Sequence, residues 1–513
     1  MPSHIAFLLA AILAFSPAFV AAQQPAAPPA QSTATKQAPD KDAPAPKPAV
    51  THHRATIGGK AIAYTATAAT IDLTNDKNEL IGRMFYVAYT QDDVADASKR
   101  PLTFLFNGGP GSSTIWLHMG SFAPVRVKTA DAASTPPAPY ELVPNDESLL
   151  DESDLVFVDA MGTGFSRIVG KGEPKDFYGT DPDVAAFAQF IERYLSANSR
   201  WNSPKYLLGE SYGTTRAAAL LNVLQSRGTA FNGAILVSSY LNAWDDFNGP
   251  PFASDLAYEL YLPTMAASAW YHDKLNPKPS DLKAFLDEVR RFALGDYAHA
   301  LAQGSHLPAA ERDAVVKRLQ QFTGMPESMI RNANLRVTPD RFEKELMRGE
   351  RRTVGRLDSR FIGIDHDAAG ESPEYDAADA AVAAPFVAAF NGYIRGELKF
   401  EPTDLYKPTN YPEVGRSWDD HHRVDGRNYP MPDVAEDLRQ AMSKNPNLRI
   451  FSANGYYDFA TPFFETEYTL SHMGLDPSLE KNITYGYYES GHMIYLHDAS
   501  RRQMKADIAA FYK

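Results

Sequence analysis

The stretch KYLLGESYGTTRAAALLNVLQSR, residues 205–227, places an apolar strand and a helix on either side of a glycine-flanked serine, Ser211. The pattern Gly-x-Ser-x-Gly between a strand and a helix is typical of a nucleophile elbow, a turn that projects the serine oxygen from the edge of a sheet. The helix begins at this turn, and the positive end of its dipole favours an alkoxide-like charge. The same glycines would also suit a simple strand-to-helix turn, so the rest of the chain has to supply partners for the serine.

Hydrophobic patterns around this stretch predict the fold class. Residues 60–73 and 80–90 alternate apolar and polar positions as antiparallel strands do. PLTFLF, at 101–106, and DLVFVDA, at 154–160, are nearly continuous apolar runs that suit strands buried on both faces of a parallel sheet. A helix follows with Asp181 as its N-cap, and strands and helices then alternate. The order predicts an α/β fold with a doubly wound, mostly parallel sheet.

A change of pattern divides the core of the chain into two parts. Residues 51–243 carry the first strands and helices, and residues 416–513 carry two more strands, LRIFSANGYYD and NITYGYYESGH, before a last helix. Between them, residues 244–415 show helical patterns without long apolar strands. We therefore expect a helical cap inserted into the α/β core.

The first residues predict export. Residues 1–22 form an apolar segment, interrupted at Pro17, that ends in small residues suited to signal-peptidase cleavage after Ala22. Its start carries no Lys or Arg, so an uncleaved anchor stays an alternative. Residues 23–50 are rich in Pro and Ala and predict a disordered tether. We expect a periplasmic or secreted protein without stable membrane insertion after cleavage.

Composition excludes several classes of protein. The 513 residues are 44% hydrophobic, enough for a large core. The net charge of −13 argues against a nucleic-acid partner, which needs a basic surface. The chain has no cysteine, so neither disulfides nor a cysteine nucleophile can form.

A histidine base and an orienting carboxylate for Ser211 occur later in the chain. Asp458 follows the strand LRIFSANGYY, and His492 follows the strand NITYGYY. The order serine, acid, histidine is that of the α/β-hydrolase fold, in which loops after successive strands carry these residues. Together Ser211, Asp458 and His492 predict a catalytic triad.

The turn FLFNGGPGSSTIW, residues 104–116, exposes backbone N–H groups after a strand. It matches neither a Walker loop nor a dinucleotide-binding fingerprint. In an α/β hydrolase the oxyanion hole takes one N–H from the residue after the nucleophile, here Tyr212, and one from the loop after an earlier strand. Gly109 is the candidate for the second donor, since Pro110 has no N–H.

Five motifs occur along the chain in the order NGGPGSS, VDAMGTGFS, GESYG, NGYYDFATP and SGH. Together they resemble the motifs of the serine carboxypeptidases, and the variant GESYGTTR is similar to the bacterial branch of that family. The resemblance implies a serine-type carboxypeptidase that needs no cofactor and acts on peptides with a free C-terminus. It further implies that Asn107, Glu210 and the N–H of Gly108 bind the terminal carboxylate, while Gly109 and Tyr212 form the oxyanion hole. A Glu can hydrogen-bond a carboxylate only if the two share a proton.

Two positions depart from the family pattern. Ser121 stands where many relatives have a second Glu, so we expect an optimum nearer neutral pH. Ser112 stands where secreted eukaryotic relatives have a cysteine, which is consistent with a fold without disulfides.

Other interpretations remain open at this stage. An esterase or acyltransferase would use the same triad, and a catalytically dead hydrolase fold would serve for binding. Asp419, Asp420, His421 and His422 are metal-ligand types, but neighbours in sequence point apart, so we predict no metal site there. The sequence leaves the oligomeric state undecided.

Overall fold

A computed structural model of the protein describes residues 41, 44–244, 247 and 255–513. The predicted signal peptide, 1–22, and residues 23–40, 42 and 43 of the predicted tether lie outside the described residues. The strands of the described part are β1 Ala49–Ile57, β2 Lys60–Thr74, β3 Leu80–Gln91, β4 Leu102–Phe106, β5 Val125–Val127, β6 Leu142–Pro144, β7 Asp154–Val158, β8 Arg167–Ile168, β9 Lys205–Ser211, β10 Gly233–Ser239, β11 Arg352–Val354, β12 Ile362–Ile364, β13 His422–Val424, β14 Arg427–Tyr429, β15 Arg449–Gly455 and β16 Ile483–Tyr488.

The α-helices range from single turns to five turns. Their bounds are α1 Ile115–Leu117, α2 Thr180–Ala197, α3 Tyr212–Ser226, α4 Leu256–Tyr271, α5 Leu282–Phe292, α6 Ala298–Gln303, α7 Ala309–Thr323, α8 Glu327–Asn332, α9 Pro339–Glu345, α10 Ala377–Gly396, α11 Tyr411–Val414, α12 Ala435–Lys444, α13 Phe463–Ser471, α14 Pro477–Glu480 and α15 Asp498–Tyr512.

One large mixed sheet organises the fold. Its strands lie in the order β1-β2-β3-β7-β4-β9-β10-β15-β16, and β8 pairs with β3. The pairs from β1 to β7 are antiparallel, whereas those from β7 through β16 are parallel. Crossovers that place β9 beside β4 and β15 beside β10 bring the carboxyl ends of the parallel strands to one edge. The predicted doubly wound α/β sheet is confirmed.

Helices cover both faces of this sheet, as the apolar runs of its central strands require. On one face α10 and α15 pack against the strands, and on the other α2, α3 and α12 do so. A third apolar cluster joins α4, α5, α7 and α9 to α13 and the loop before it. The helices of the predicted cap, 244–415, therefore contribute to all three clusters, through α10, through Val414 of α11 and through α4, α5, α7 and α9, and its boundaries stay a prediction.

Helix α10 is long and apolar because it is a core helix. Within the described part of the chain it is the helix that meets the length and composition of a membrane span, with a mean hydropathy of 1.3. Since 56% of that window is buried inside the protein, packing against the sheet accounts for its composition.

Two local predictions differ from the structure. Strand β1, which pairs with β2 along its whole length and alternates between more and less buried residues, begins at Ala49, inside the predicted tether. Asp181 does not cap α2, whose N-cap is Gly179. The carboxylate of Asp181 instead accepts hydrogen bonds from the backbone of Arg423 and the ring of His422, a partner far away in sequence.

Candidate active site

Ser211 lies on a sharp turn between β9 and α3. Its φ of 61° and ψ of −134° are unfavourable for a residue with a side chain, as at other nucleophile elbows. The turn also needs its two glycines. A Cβ at Gly209 would lie 2.2 Å from the carbonyl oxygen of Gly213, and one at Gly213 would lie 2.7 Å from that of Phe106. Only glycine lets the strand and helix approach this closely.

Asp458 and His492 meet in the loops after β15 and β16. The Asp458 Oδ2 lies 2.8 Å from the His492 Nδ1. The other oxygen accepts the backbone N–H groups of Ala460 and Thr461 at 2.8 and 3.0 Å, and the Thr461 hydroxyl donates to Oδ2 at 2.8 Å. These donors fix the carboxylate, which is fully buried, with one oxygen directed at the ring.

The same contact governs the charge of the histidine. Burial lowers the pKa of His492, but the charge and hydrogen bond of Asp458 outweigh burial, so that the net effect is a raised pKa. An imidazole in this setting can accept a proton, and the carboxylate stabilises the imidazolium that results.

Residues that the sequence analysis did not assign to the site hold the histidine loop. The Ser238 hydroxyl donates to the His492 carbonyl at 2.8 Å. The His492 N–H donates to the Leu357 carbonyl at 2.6 Å. Arg360 pairs with Asp358 and reaches Ser490 at 3.4 Å. Apart from the Arg360–Asp358 pair, these contacts join segments far apart in the chain, so no local pattern signals them.

Glu210 and Asn107 lie together beside the elbow. The Asn107 Nδ2 donates to the Glu210 Oε1 at 2.7 Å, and the Asn107 Oδ1 accepts the N–H of Leu117 at 3.0 Å. Burial raises the pKa of Glu210 to about 7, while the nearby His492 opposes the rise. Glu210 is therefore able to carry a proton near neutral pH.

The NGGPG turn packs directly on the start of α3. A Cβ at Gly108 would lie 2.4 Å from the backbone nitrogen of Tyr212, so glycine is required there. Gly109 has a φ of 109°, another conformation that favours glycine. In the described part of the chain the N–H groups of Gly108 and Gly109 donate to no protein acceptor. Both are available for a substrate oxygen.

A buried ion pair supports this turn from behind. Arg216 pairs with Asp183 at 2.6 Å, and its Nη1 donates to the Asn107 carbonyl at 2.7 Å. The guanidinium also lies over the Phe187 ring, 4.3 Å from its centroid. These contacts fix the backbone that precedes the glycines.

A cavity of about 890 Å³ unites the predicted site residues except Asp458, which lies behind His492. Aromatic and apolar side chains form much of its wall, with one cation, Arg356. The predicted residues that line it are Asn107, Gly108, Gly109, Glu210, Ser211, Tyr212 and His492. Ser121 does not line it; its buried hydroxyl donates to the Leu117 carbonyl at 2.6 Å.

His422 takes part in a structural cluster outside this cavity. Its ring nitrogens lie 2.7 Å from carboxylate oxygens of Asp181 and Asp437. His421 instead pairs with Asp419 at the surface. Among the described residues no group of three or more histidine or acidic side chains is arranged to hold a metal ion.

The His422 cluster predicts a pH-dependent contribution to stability. Burial opposes the charged ring, but the two carboxylates raise the pKa of His422 to about 9. Because the raised value favours the protonated folded state, its contribution is complete below the unfolded value of about 6.5 and is lost as pH rises through about 9. We expect His422→Leu to lower the free energy of unfolding by about 1–2 kcal/mol at pH 6. This value is smaller than the pKa shift alone would give, because Asp181 is half exposed and solvent screens its charge. Urea unfolding should show this deficit shrinking from about pH 6.5 and lost above about pH 9; a deficit independent of pH would contradict the charged ring.

The chain is similar to known proteins in both sequence and structure. The family model of the serine carboxypeptidases matches residues 71–247. No curated protein matches the sequence. Among solved structures, Kex1(delta)p, a prohormone-processing carboxypeptidase from Saccharomyces cerevisiae, is similar with a TM-score of 0.54 and 16% identity over 88% of this chain and 91% of that chain. A carboxyl esterase from Bacillus coagulans gives a TM-score of 0.36 and 11% identity over 86% and 97% of the two chains.

The sheet order, the strained serine turn and the likeness to Kex1(delta)p define an α/β-hydrolase fold. At 16% identity that likeness shows the fold alone. The family match adds the class: the model of the serine carboxypeptidases, a family of hydrolases, matches residues 71–247, and the resemblance predicted from the motifs is confirmed.

Proposed function

We propose that the protein is a serine-type carboxypeptidase that hydrolyses the C-terminal bond of peptides. The observation that carries this proposal is that His492, held by Asp458 at 2.8 Å, lines a cavity together with an elbow serine and a buried, protonatable Glu210. An esterase that recognises no carboxylate needs only the triad of Ser211, His492 and Asp458. The buried carboxyl beside the nucleophile has a use only if the substrate brings a group for it to bind.

Each residue has a defined task in the proposed reaction. The Ser211 oxygen attacks the carbonyl carbon of the last peptide bond while His492 takes the hydroxyl proton. The C–N bond breaks as His492 gives that proton to the leaving amine, and a water deprotonated by His492 then releases the acyl group and restores Ser211. The N–H groups of Gly109 and Tyr212 stabilise the oxyanion at both stages.

Recognition of the terminal carboxylate falls to the groups on the other side of the nucleophile. Gly108 offers its N–H, and Glu210 donates a hydrogen bond when it carries a proton. Asn107 already donates to Glu210, so its role includes holding that carboxyl in place. An amide or ester substrate without this carboxylate would leave Glu210 unsatisfied.

Product analysis tests the reaction itself. Peptide and ester substrates with the same acyl group should be incubated with and without an added amine or alcohol. Release of a single free C-terminal amino acid from the peptide supports the carboxypeptidase. Transfer of the acyl group to the acceptor, or hydrolysis of esters alone, would favour the acyltransferase or esterase alternative.

We also propose export, on the strength of the apolar segment 1–22 and the small residues before Gln23. Mass spectrometry of the protein made in its natural host should place the mature N-terminus near Gln23, in a periplasmic or secreted fraction. An intact Met1 recovered with the membranes would contradict cleavage and favour an anchor.

A further inference from the structure

Two buried polar atoms beside the elbow have no hydrogen bond of ordinary geometry in the described part of the chain. They are the Glu210 Oε2 and the hydroxyl of Tyr495. Glu210 is 3% exposed and Tyr495 is 1% exposed, so water cannot readily replace the missing partners. Leaving such groups unsatisfied is costly, and unsatisfied groups in a native site indicate a functional demand.

The two atoms belong to one cluster. The Tyr495 hydroxyl lies next to the carboxyl of Glu210 and the side chain of Asn107, and Asn107 is bonded to Glu210. Tyr495 follows His492 in a single helical turn, Ile494–Leu496. Its ring packs so closely on the backbone of Gly120 that a Cβ there would lie 2.6 Å from the ring. Steric contact therefore fixes the ring with its hydroxyl at Glu210.

Tyr495 does not line the cavity, so a role through Glu210 is the one its position allows. The titratable groups that face Glu210 are His492, Asp458, Tyr411 and Tyr495. Burial keeps the Tyr495 hydroxyl protonated, with its pKa well above 10. An uncharged hydroxyl can donate to the ionised Glu210 or accept from the protonated form. Donation favours the ionised form and therefore lowers the pKa of Glu210.

We propose that Tyr495 is a positioning residue for recognition of the peptide's terminal carboxylate: its hydroxyl holds the Glu210 carboxyl against Asn107 and sets the pH range in which Glu210 donates to that carboxylate. This inference rests on the proposed carboxypeptidase function. In this site a tyrosine hydroxyl therefore acts on Glu210, whereas Ser121 supplies no second carboxyl group.

The variant Tyr495→Phe tests the role, because it keeps the ring and removes only the hydroxyl. The readout is the ratio of kcat/KM for a peptide acid to that for the matching peptide amide, measured from pH 5 to 9. Without the hydroxyl the ionised Glu210 loses a donor. The pH at which the acid preference falls by half should then rise by about one unit, a tenfold change in the proton equilibrium. Turnover of the amide should stay within about twofold of wild type.

Three comparisons make the result decisive. Tyr457→Phe, which removes another buried hydroxyl without a partner among the described residues, should leave the midpoint unchanged. Tyr495→Met also lacks the hydroxyl and should raise the midpoint as Tyr495→Phe does. It serves as the test if Tyr495→Phe folds poorly. An unchanged or lowered midpoint in both Tyr495 variants overturns the inference while leaving the carboxypeptidase intact. A wild-type enzyme with no acid preference would instead reject the proposed function itself.

Discussion

Replacement of Ser211 by alanine is expected to lower kcat by about 10⁶-fold, the size of loss seen when the nucleophile of a triad is removed. The residual rate should come from substrate binding and from the N–H groups of the oxyanion hole, which remain. The fold should persist, because alanine at the same positive φ adds no atom to the turn. Steady-state kinetics on a peptide substrate and covalent labelling by a fluorophosphonate probe measure the two consequences.

Ser239 offers a matched control. It lies beside Ser211 in the register of β9 and β10, and its buried hydroxyl has no partner in the described part of the chain. Ser239→Ala should therefore label and turn over like wild type. If Ser211→Ala retained wild-type turnover or labelling, Ser211 would not be the nucleophile.

Strand and turn patterns predicted much of the fold. The continuous apolar runs of β4, β7 and β9 indicated strands covered on both faces, and the structure buries them between two helical layers. Gly209 and Gly213 predicted the elbow because a close approach of backbones leaves room for no other residue. Such local steric demands are visible in a single sequence.

Contacts between distant segments were not predictable in this way. The sequence alone gives no reason to place Ser238 at the His492 carbonyl or Tyr495 beside Glu210. Asp181 was an acceptable N-cap by local rules, yet His422 offered its carboxylate a charged partner from another part of the chain. Contacts between distant segments depend on the assembled sheet, and they determine the positions and the protonation of the site residues.

A peptide with a free C-terminus should be hydrolysed faster than the same peptide blocked as an amide. The amide lacks the charge that Gly108 and Glu210 are proposed to bind, and a hydrogen bond to a charged group contributes about 1.5–3 kcal/mol. The loss of each such bond corresponds to about ten- to hundredfold in kcat/KM. The comparison is made at pH 6, where Glu210, with its pKa of about 7, is mostly protonated.

The pH dependence of this preference follows from the same carboxyl group. As pH rises through about 7, Glu210 loses the proton that it donates, so the preference for the acid should fall. The amide needs no such proton, and its rate should only rise as His492 becomes neutral. The acid should therefore show a bell-shaped profile whose apparent pKa values belong to the Glu210–His492 pair.

Glu210→Gln separates these effects, because glutamine keeps the acceptor for Asn107 and supplies an N–H donor at every pH. The variant should still prefer the acid, by a smaller factor than wild type at pH 6, and this preference should no longer fall at alkaline pH. Both enzymes are assayed on the acid and amide pair from pH 5 to 9. An alkaline fall that persists in the variant would assign that limb to another group, and equal rates on acid and amide in wild type would reject carboxylate binding and favour the esterase or acyltransferase.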